Sequence, residues 1–189
     1  MEALKARIRQ DGKNMGGGIL KVDSFLNHQV DPAFMLAVGG ALAAHFGAFG
    51  VTKVLTAEIS GIAPALTTAL ALGVRVVYGR KTKPITMPAN PYIERAPSHT
   101  KGKIVEIMVS PEFLTAADKV LIVDDFLATG ATITALAKIV AQAGATVVGI
   151  GTVIEKSFEG GRAELEALGY PVRSLVVIER MTDHEIIFA

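Results

Sequence analysis

The most constraining feature of this chain is the run Val120 to Thr132, VLIVDDFLATGAT. Val120-Leu121-Ile122-Val123 is short, β-branched and nearly continuous in apolar character, which predicts a parallel strand buried on both faces. Asp124 and Asp125 follow at its end, and then a compact loop of small and hydroxyl residues, Ala128-Thr129-Gly130-Ala131-Thr132. Ile133, Leu136, Ala137 and Val140 recur at i, i+3, i+4 and i+7, one apolar face of a helix that Gly144 would end in a left-handed conformation. The loop therefore lies at the carboxyl end of a strand and the start of a helix, the place where open α/β sheets bind ligands. Free N–H groups and the helix dipole favour a phosphate there. Gly130 lets the phosphate approach the backbone, and Thr129 and Thr132 add hydroxyl donors.

The acids need a different partner, because two carboxylates repel a phosphate. A vicinal diol such as that of ribose wants carboxylate acceptors, and a magnesium ion wants oxygen ligands. Sugar hydroxyls on Asp124 and Asp125 with a 5-phosphate on residues 128–132 form a consistent picture.

This run resembles the phosphoribosyl pyrophosphate (PRPP) signature of type I phosphoribosyltransferases, in its apolar strand, its acidic pair, and Thr129-Gly130 with Thr132. The resemblance implies ribose on Asp124 and Asp125 as catalytic residues, and PRPP phosphate on Ala128, Thr129, Gly130, Ala131 and Thr132. An ordinary strand–loop–helix unit with solvated acids has no reason to carry a phosphate loop directly behind them.

Length and composition fit one sizeable α/β domain over residues 1–189. Half the residues are hydrophobic, yet the sequence suggests no stretch approaching the roughly 20 apolar residues of a membrane span. The charged start MEALKARIRQDG lacks the apolar centre of a signal peptide. The absence of cysteine removes disulfides and Cys-based metal sites. A cytoplasmic location is the expectation, and a net charge of +1 gives no case for a nucleic-acid binder.

Periodicity predicts a short N-terminal helix carrying Leu4 and Ile8. Asp31-Pro32 then starts a helix whose Phe34, Val38, Leu42 and Phe46 share a face. Gly39-Gly40 weakens that helix by up to about 1 kcal/mol per glycine, so close packing is expected there. Strands are expected at 51–56, 74–78, 146–154 and 172–178, and helices at 61–72 and 162–168. Residues 82–101, rich in Pro, Asn, Ser and charge, read as a long mobile loop with possible strand ends, followed by an edge strand at 103–109. Alternating strands and helices imply a parallel sheet with helices on both faces, as in the type I phosphoribosyltransferase core.

Three further segments acquire roles. Glu58-Ile59-Ser60-Gly61 lies at a second strand end and helix start, where N–H groups could hold pyrophosphate; members of the family often carry a non-proline cis peptide in this loop. Arg80-Lys81-Thr82-Lys83 puts three cations in four residues, suited to a pyrophosphate leaving group. By resemblance, the stretch after it, with Ser98, Thr100 and Lys101, is a lid that closes over PRPP and excludes water. His99 reads as a surface residue. Lys156, with three donors and a positive charge, could donate to the 6-oxo group of a purine, and Phe158 could pack on its plane.

The stretch Gly16 to Pro32 resembles the N-terminal hood of the bacterial branch of this family that uses xanthine, as do the opening MEALK and the segment VIEKSF. The resemblance covers essentially the whole chain and implies a hood of about residues 1–35 plus the C-terminal segment. It places Leu20 (through its backbone), Asn27 (through its amide), Lys156 and Phe158 on xanthine. Xanthine adds a 2-oxo group to which the Asn27 amide could donate, and a nearby lysine favours its anion. A polar contact left unmade costs about 1–3 kcal/mol, enough to rank purines without excluding guanine or hypoxanthine. Magnesium is expected mainly through PRPP oxygens, with no protein metal cage. The family also implies a homodimer, with helix 31–46 and the basic turn near the partner. The competing readings are a hypoxanthine/guanine or adenine phosphoribosyltransferase, and a PRPP- or purine-sensing regulator on the same fold.

Overall fold

The computed structural model describes residues 1–97, 104–182 and 185–189. Helix α1 (Glu2–Asp11) leads into a small hairpin of β1 (Lys13–Asn14) and β2 (Leu20–Lys21), a π-helical turn (Asp23–Asn27) and α2 (Pro32–Phe46). Strand β3 (Lys53–Ala57), α3 (Ile62–Leu72) and β4 (Arg75–Gly79) follow. An antiparallel arm comes next, β5 (Tyr92–Pro97) with β6 (Ile104–Val109). The chain then alternates β7 (Lys119–Leu127), α4 (Ala131–Gln142), β8 (Thr146–Lys156), α5 (Gly161–Ala167), β9 (Val172–Met181) and β10 (Ile186–Phe188).

The main sheet has the order β10-β9-β8-β7-β3-β4, parallel throughout except for β10 at one edge. Its strands are buried on both sides, so side chains alternate between two cores. Val54, Leu121 and Val123 face α2 and α3 with Val38, Leu42 and Phe46. Leu55, Val120 and Ile122 face α4 and α5 with Leu136, Ile139 and Leu165. The strand order reverses between β3 and β7, so the loops leaving these neighbours diverge to opposite faces and open a crevice between them. Both candidate phosphate loops start there.

Local signals read from sequence act as expected at several points. The Asp31 carboxylate accepts from the Phe34 amide at 3.1 Å and caps α2, with Pro32 at its first position. A Cβ on Gly39 would lie 2.3 Å from the Thr67 carbonyl carbon, so α2 and α3 touch backbone to backbone, whereas Gly40 has open space. Gly73 and Gly144 end their helices in the left-handed region.

Two expectations change. Within the stretch 82–101, Tyr92–Pro97 forms a full six-residue strand, β5, rather than only a strand end. The Gln142 side chain supports it like a neighbouring strand, donating to the Ile93 carbonyl at 2.9 Å and accepting from its amide at 3.2 Å. Ser98, His99, Thr100 and Lys101 lie outside the described residues. In addition, Pro32–Phe49 forms an apolar helical run of 18 residues with mean hydropathy 1.5, long and apolar enough by composition to cross a membrane. It packs on the sheet through Met35, Val38, Leu42 and Phe46, and is also largely apolar outward, at Ala33, Leu36, Ala37 and Ala44.

The hood segments meet the C-terminal strands. The Asn14 amide donates to the Thr182 carbonyl at 2.5 Å, and Arg9 lies 5.0 Å over the Phe188 ring.

Candidate active site

A cleft of about 710 Å³ opens at the crevice between β3 and β7, lined by the acid pair, both phosphate loops, Lys81, and Leu20, Asn27, Lys156 and Phe158, whereas Arg80, Thr82 and Lys83 do not line it.

Its floor is the end of β7. Asp124 is 9% exposed and Asp125 is half-buried. The Asp125 amide donates to Asp124 Oδ1 at 3.0 Å. Burial first, then the adjacent Asp125 charge, pushes the Asp124 carboxyl well above its ordinary pKa; burial pushes Asp125 up too, and Lys81 opposes both shifts. The strand carries these charges to its end because β8 pairs it as far as Leu127, leaving the acids at the mouth of the cleft.

Behind the acids, Gly130 takes φ +79° and precedes α4 without any side-chain cap. The first N–H groups of a twelve-residue helix are therefore free to meet an anion from Ala131 onward. Gly61 likewise leads into α3 without a side-chain cap. A Cβ there would lie 2.6 Å from Asp124 Oδ1, so only glycine lets this second loop press against the acid. The Glu58–Ile59 peptide in that loop is cis.

Glu58 and Arg80 depart from the expected roles. The Glu58 carboxylate accepts from Arg80 Nε at 2.9 Å and from the Lys81 amide at 2.5 Å. As an anion it orders the basic turn, and only its backbone suits pyrophosphate. Arg80 is held by this pair and by the Tyr78 ring, 5.8 Å away, and lines a separate groove with Lys53 and Arg75. Lys81 is the cation of the turn that lines the cleft.

At the other end, Lys156 Nζ stands 5.6 Å from the Phe126 ring centre and 3.3 Å from Glu159. The carboxylate of the adjacent Glu155 is taken by Arg162. Phe158 meets the hood, where a Cβ on Gly18 would sit 3.4 Å from its ring. Asn27 is turned differently from the expectation. Its amide donates to Asp125 Oδ2 at 3.1 Å, while its Oδ1 is buried without a partner. Leu20 lines the same wall. Sequence reasoning passed over Phe126, Gly18 and Glu159. Phe126 directly follows the acid pair, and an aromatic at a strand's exit is the signal that could have found it.

Among the described residues, no group of three or more His, Cys, Asp or Glu side chains converges. Asp124 and Asp125 supply two carboxylates, which suit a hard cation carried in on a ligand's own oxygens.

The sequence pattern of the phosphoribosyl transferase domain matches residues 28–182. The chain belongs to the phosphoribosyltransferase family. A xanthine phosphoribosyltransferase of Deinococcus deserti is 49% identical over 183 residues, covering 97% of this chain and 95% of that protein. One from Moorella thermoacetica is 49% identical over 188 residues, covering 100% and 96%. Among solved structures, the adenine phosphoribosyltransferase of Rhodothermus marinus superimposes with a TM-score of 0.76 at 26% identity, covering 94% of this chain and 99% of that one. In this phosphoribosyltransferase, then, the sheet, the crevice and both loops belong to a fold shared with enzymes named for adenine. The full-length sequence likeness lies with enzymes named for xanthine.

Proposed function

We propose that this phosphoribosyltransferase transfers the 5-phosphoribosyl group of PRPP to N9 of xanthine, forming xanthosine monophosphate (XMP) and pyrophosphate in purine salvage. The observation that carries this reading is the continuity of one cleft from the phosphate loop, past the acid pair, to Lys156 above Phe126. It is supported by full-length relatives at 49% identity that bear the xanthine name.

In the proposed reaction, N9 forms a bond to C1 of the ribose while the bond from C1 to pyrophosphate oxygen breaks and the oxygen keeps the electron pair; the imidazole-ring proton that the base gives up passes to solvent or to the leaving pyrophosphate. Asp124 and Asp125 accept from the ribose hydroxyls and favour the positive character that develops on the ring. The N–H groups and hydroxyls of residues 128–132 anchor the 5-phosphate, and those of residues 58–61 with Lys81 meet the pyrophosphate. Magnesium, carried on the pyrophosphate oxygens near the acids, would neutralise the leaving group's charge. Holding both reactants in register accounts for most of the acceleration, because the chemistry needs no protein nucleophile.

Lys156 donates to an oxo group of the base and favours the xanthine anion. Adenine presents an amino donor at C6, so a lysine facing it leaves two donors opposed; this favours the oxopurine reading over adenine. Asn27 lines the base end of the cleft and holds Asp125 with one hydrogen of its amide, which keeps the second for an oxo group of the base. Leu20 and Phe158 flank the base plane. The reading includes a homodimer, and a cytoplasmic location, because a polyanion such as PRPP does not cross an apolar bilayer unaided.

The deciding experiment is pyrophosphate release from PRPP with xanthine, guanine, hypoxanthine and adenine in turn. Release fastest with xanthine is the expected result. Fastest release with adenine would overturn the substrate, and release with none would favour a PRPP- or purine-sensing role.

A further inference from the structure

A buried polar chain outside the substrate contacts joins the two halves of the cleft. Glu155 is 1% exposed, near the end of β8, directly before Lys156. Its carboxylate accepts two hydrogen bonds from Arg162, from Nε at 2.8 Å and from Nη2 at 2.5 Å, and a third from Ser174 Oγ at 2.5 Å. Ser174 in turn bonds the Thr152 hydroxyl at 2.8 Å. Arg162 reaches further, to the Val172 carbonyl at 3.2 Å and to Glu166 at 3.0 Å.

The pair closes a loop. The chain runs from Glu155 through Lys156, the last residue of β8, carries Phe158 along the cleft, and returns at Arg162 to the Glu155 carboxylate. Just before Arg162, the Gly161 amide donates to the Ala128 carbonyl at 3.0 Å. A Cβ on Gly161 would lie 2.3 Å from that oxygen and 2.7 Å from the Gly130 nitrogen. The back of the phosphate loop thus rests on Gly161. In the sheet, Glu155 is also the register partner of Leu127, the residue before that loop.

Stability alone does not account for such a pair. A buried ion pair is often no more stabilising than apolar side chains of the same volume, because desolvation offsets the attraction. What the fork geometry of arginine supplies is a fixed placement.

We propose that the Glu155–Arg162 pair is a positioning clasp that sets the distance between the loop holding the base and the loop holding the 5-phosphate. This rests on the phosphoribosyl-transfer reading of the cleft. Neither residue touches substrate; each acts through a neighbour, Glu155 through Lys156 and Arg162 through Gly161.

The test replaces both partners together, Glu155→Met with Arg162→Met, so that no unpaired charge is left inside. The double variant is expected to melt within a few degrees of wild type. Its PRPP dissociation constant by calorimetry and its KM for xanthine should each rise about tenfold, since small misplacements of a bound group weaken productive binding strongly. Arg162→Lys, which keeps the charge without the fork, should fall between the two and retain the melting temperature. A folded double variant with both constants within twofold of wild type, or with only one of them changed, overturns the clasp. Should the double variant fail to fold, Arg162→Lys decides: unchanged constants overturn the proposal and raised ones support it. Wild-type XMP formation is measured separately. If wild type makes none, the substrate reading fails, and the PRPP dissociation constant alone decides the clasp.

Discussion

Asp124 and Asp125 are adjacent, largely buried like charges, an arrangement no fold would choose for stability. Burial raises both folded-state pKa values above the unfolded ones, and for Asp124 the adjacent Asp125 charge adds to it. The protonated pair therefore favours folding below the unfolded value, and that contribution is lost as pH rises through the raised folded values. Asp124→Asn should then melt a few degrees higher than wild type at pH 8, and the gap should close on acidification; a gap that widens in acid would refute the assignment. The same substitution should depress turnover. Asp125→Asn, folded, should lose about 100-fold in turnover, as removal of a single well-placed electrostatic contact commonly does; near-normal turnover would remove the ribose role. Lys156→Ala should lower kcat/KM for xanthine by about 10- to 100-fold while leaving any adenine activity unchanged, because a hydrogen bond from a charged donor contributes about 1.5–3 kcal/mol. Unchanged xanthine kinetics would show that Lys156 does not contact the base. The acids and the lysine were legible in the sequence because their chemistry is local to a strand end. The turn of the Asn27 amide was not, because its partner Asp125 lies 98 residues away.

At the scale of elements, periodicity sufficed wherever a segment packs on the sheet, since burial on one face leaves a spacing in the sequence. Both helices behind the phosphate loops carry it. It gave only possible strand ends for β5, whose YIERAP is half-exposed after a proline-rich stretch and is held by β6 and Gln142, contacts with no signature in its own residues. The Glu155–Arg162 pair escaped for a similar reason: each looks like an ordinary surface charge until β8 and α5 bring them together. The Gly39-Gly40 pair was legible as a close approach, but only Gly39 makes it, since the position facing α3 depends on the helix's rotation about its axis. Gly39→Ala must push a methyl into the Thr67–Thr68 backbone, which cannot retreat as a flexible side chain would. It should destabilise the fold by about 1–3 kcal/mol, read from the urea midpoint at an unchanged slope. A midpoint equal to wild type would mean that α2 and α3 can slide apart freely.

For the whole molecule, the unsettled surface is the outer side of α2 and α3. Only 33% of the apolar run Pro32–Phe49 is buried within the chain. Its outward positions Ala33, Leu36, Ala37 and Ala44 are small or apolar, and Leu66 and Leu70 project from α3 at 58% and 68% exposure. Residues one turn apart on a helix share a side, so Leu66 and Leu70 form an exposed apolar patch on α3, the helix that Gly39 of α2 touches. Exposed apolar patches of this size suit an interface, and a second copy of the same surface, related by a twofold axis, is the cover that the homodimer reading implies. Light scattering at micromolar concentration should therefore give twice the 19.9 kDa chain mass. Leu66→Glu with Leu70→Glu should shift the mass to that of one chain, and the melting temperature of wild type, but not of the variant, should rise with protein concentration. A wild-type monomer, or a double variant that still dimerises, would place the contact elsewhere, and the groove at Lys53, Arg75 and Arg80 on the exposed edge of β4 would be the next surface to test.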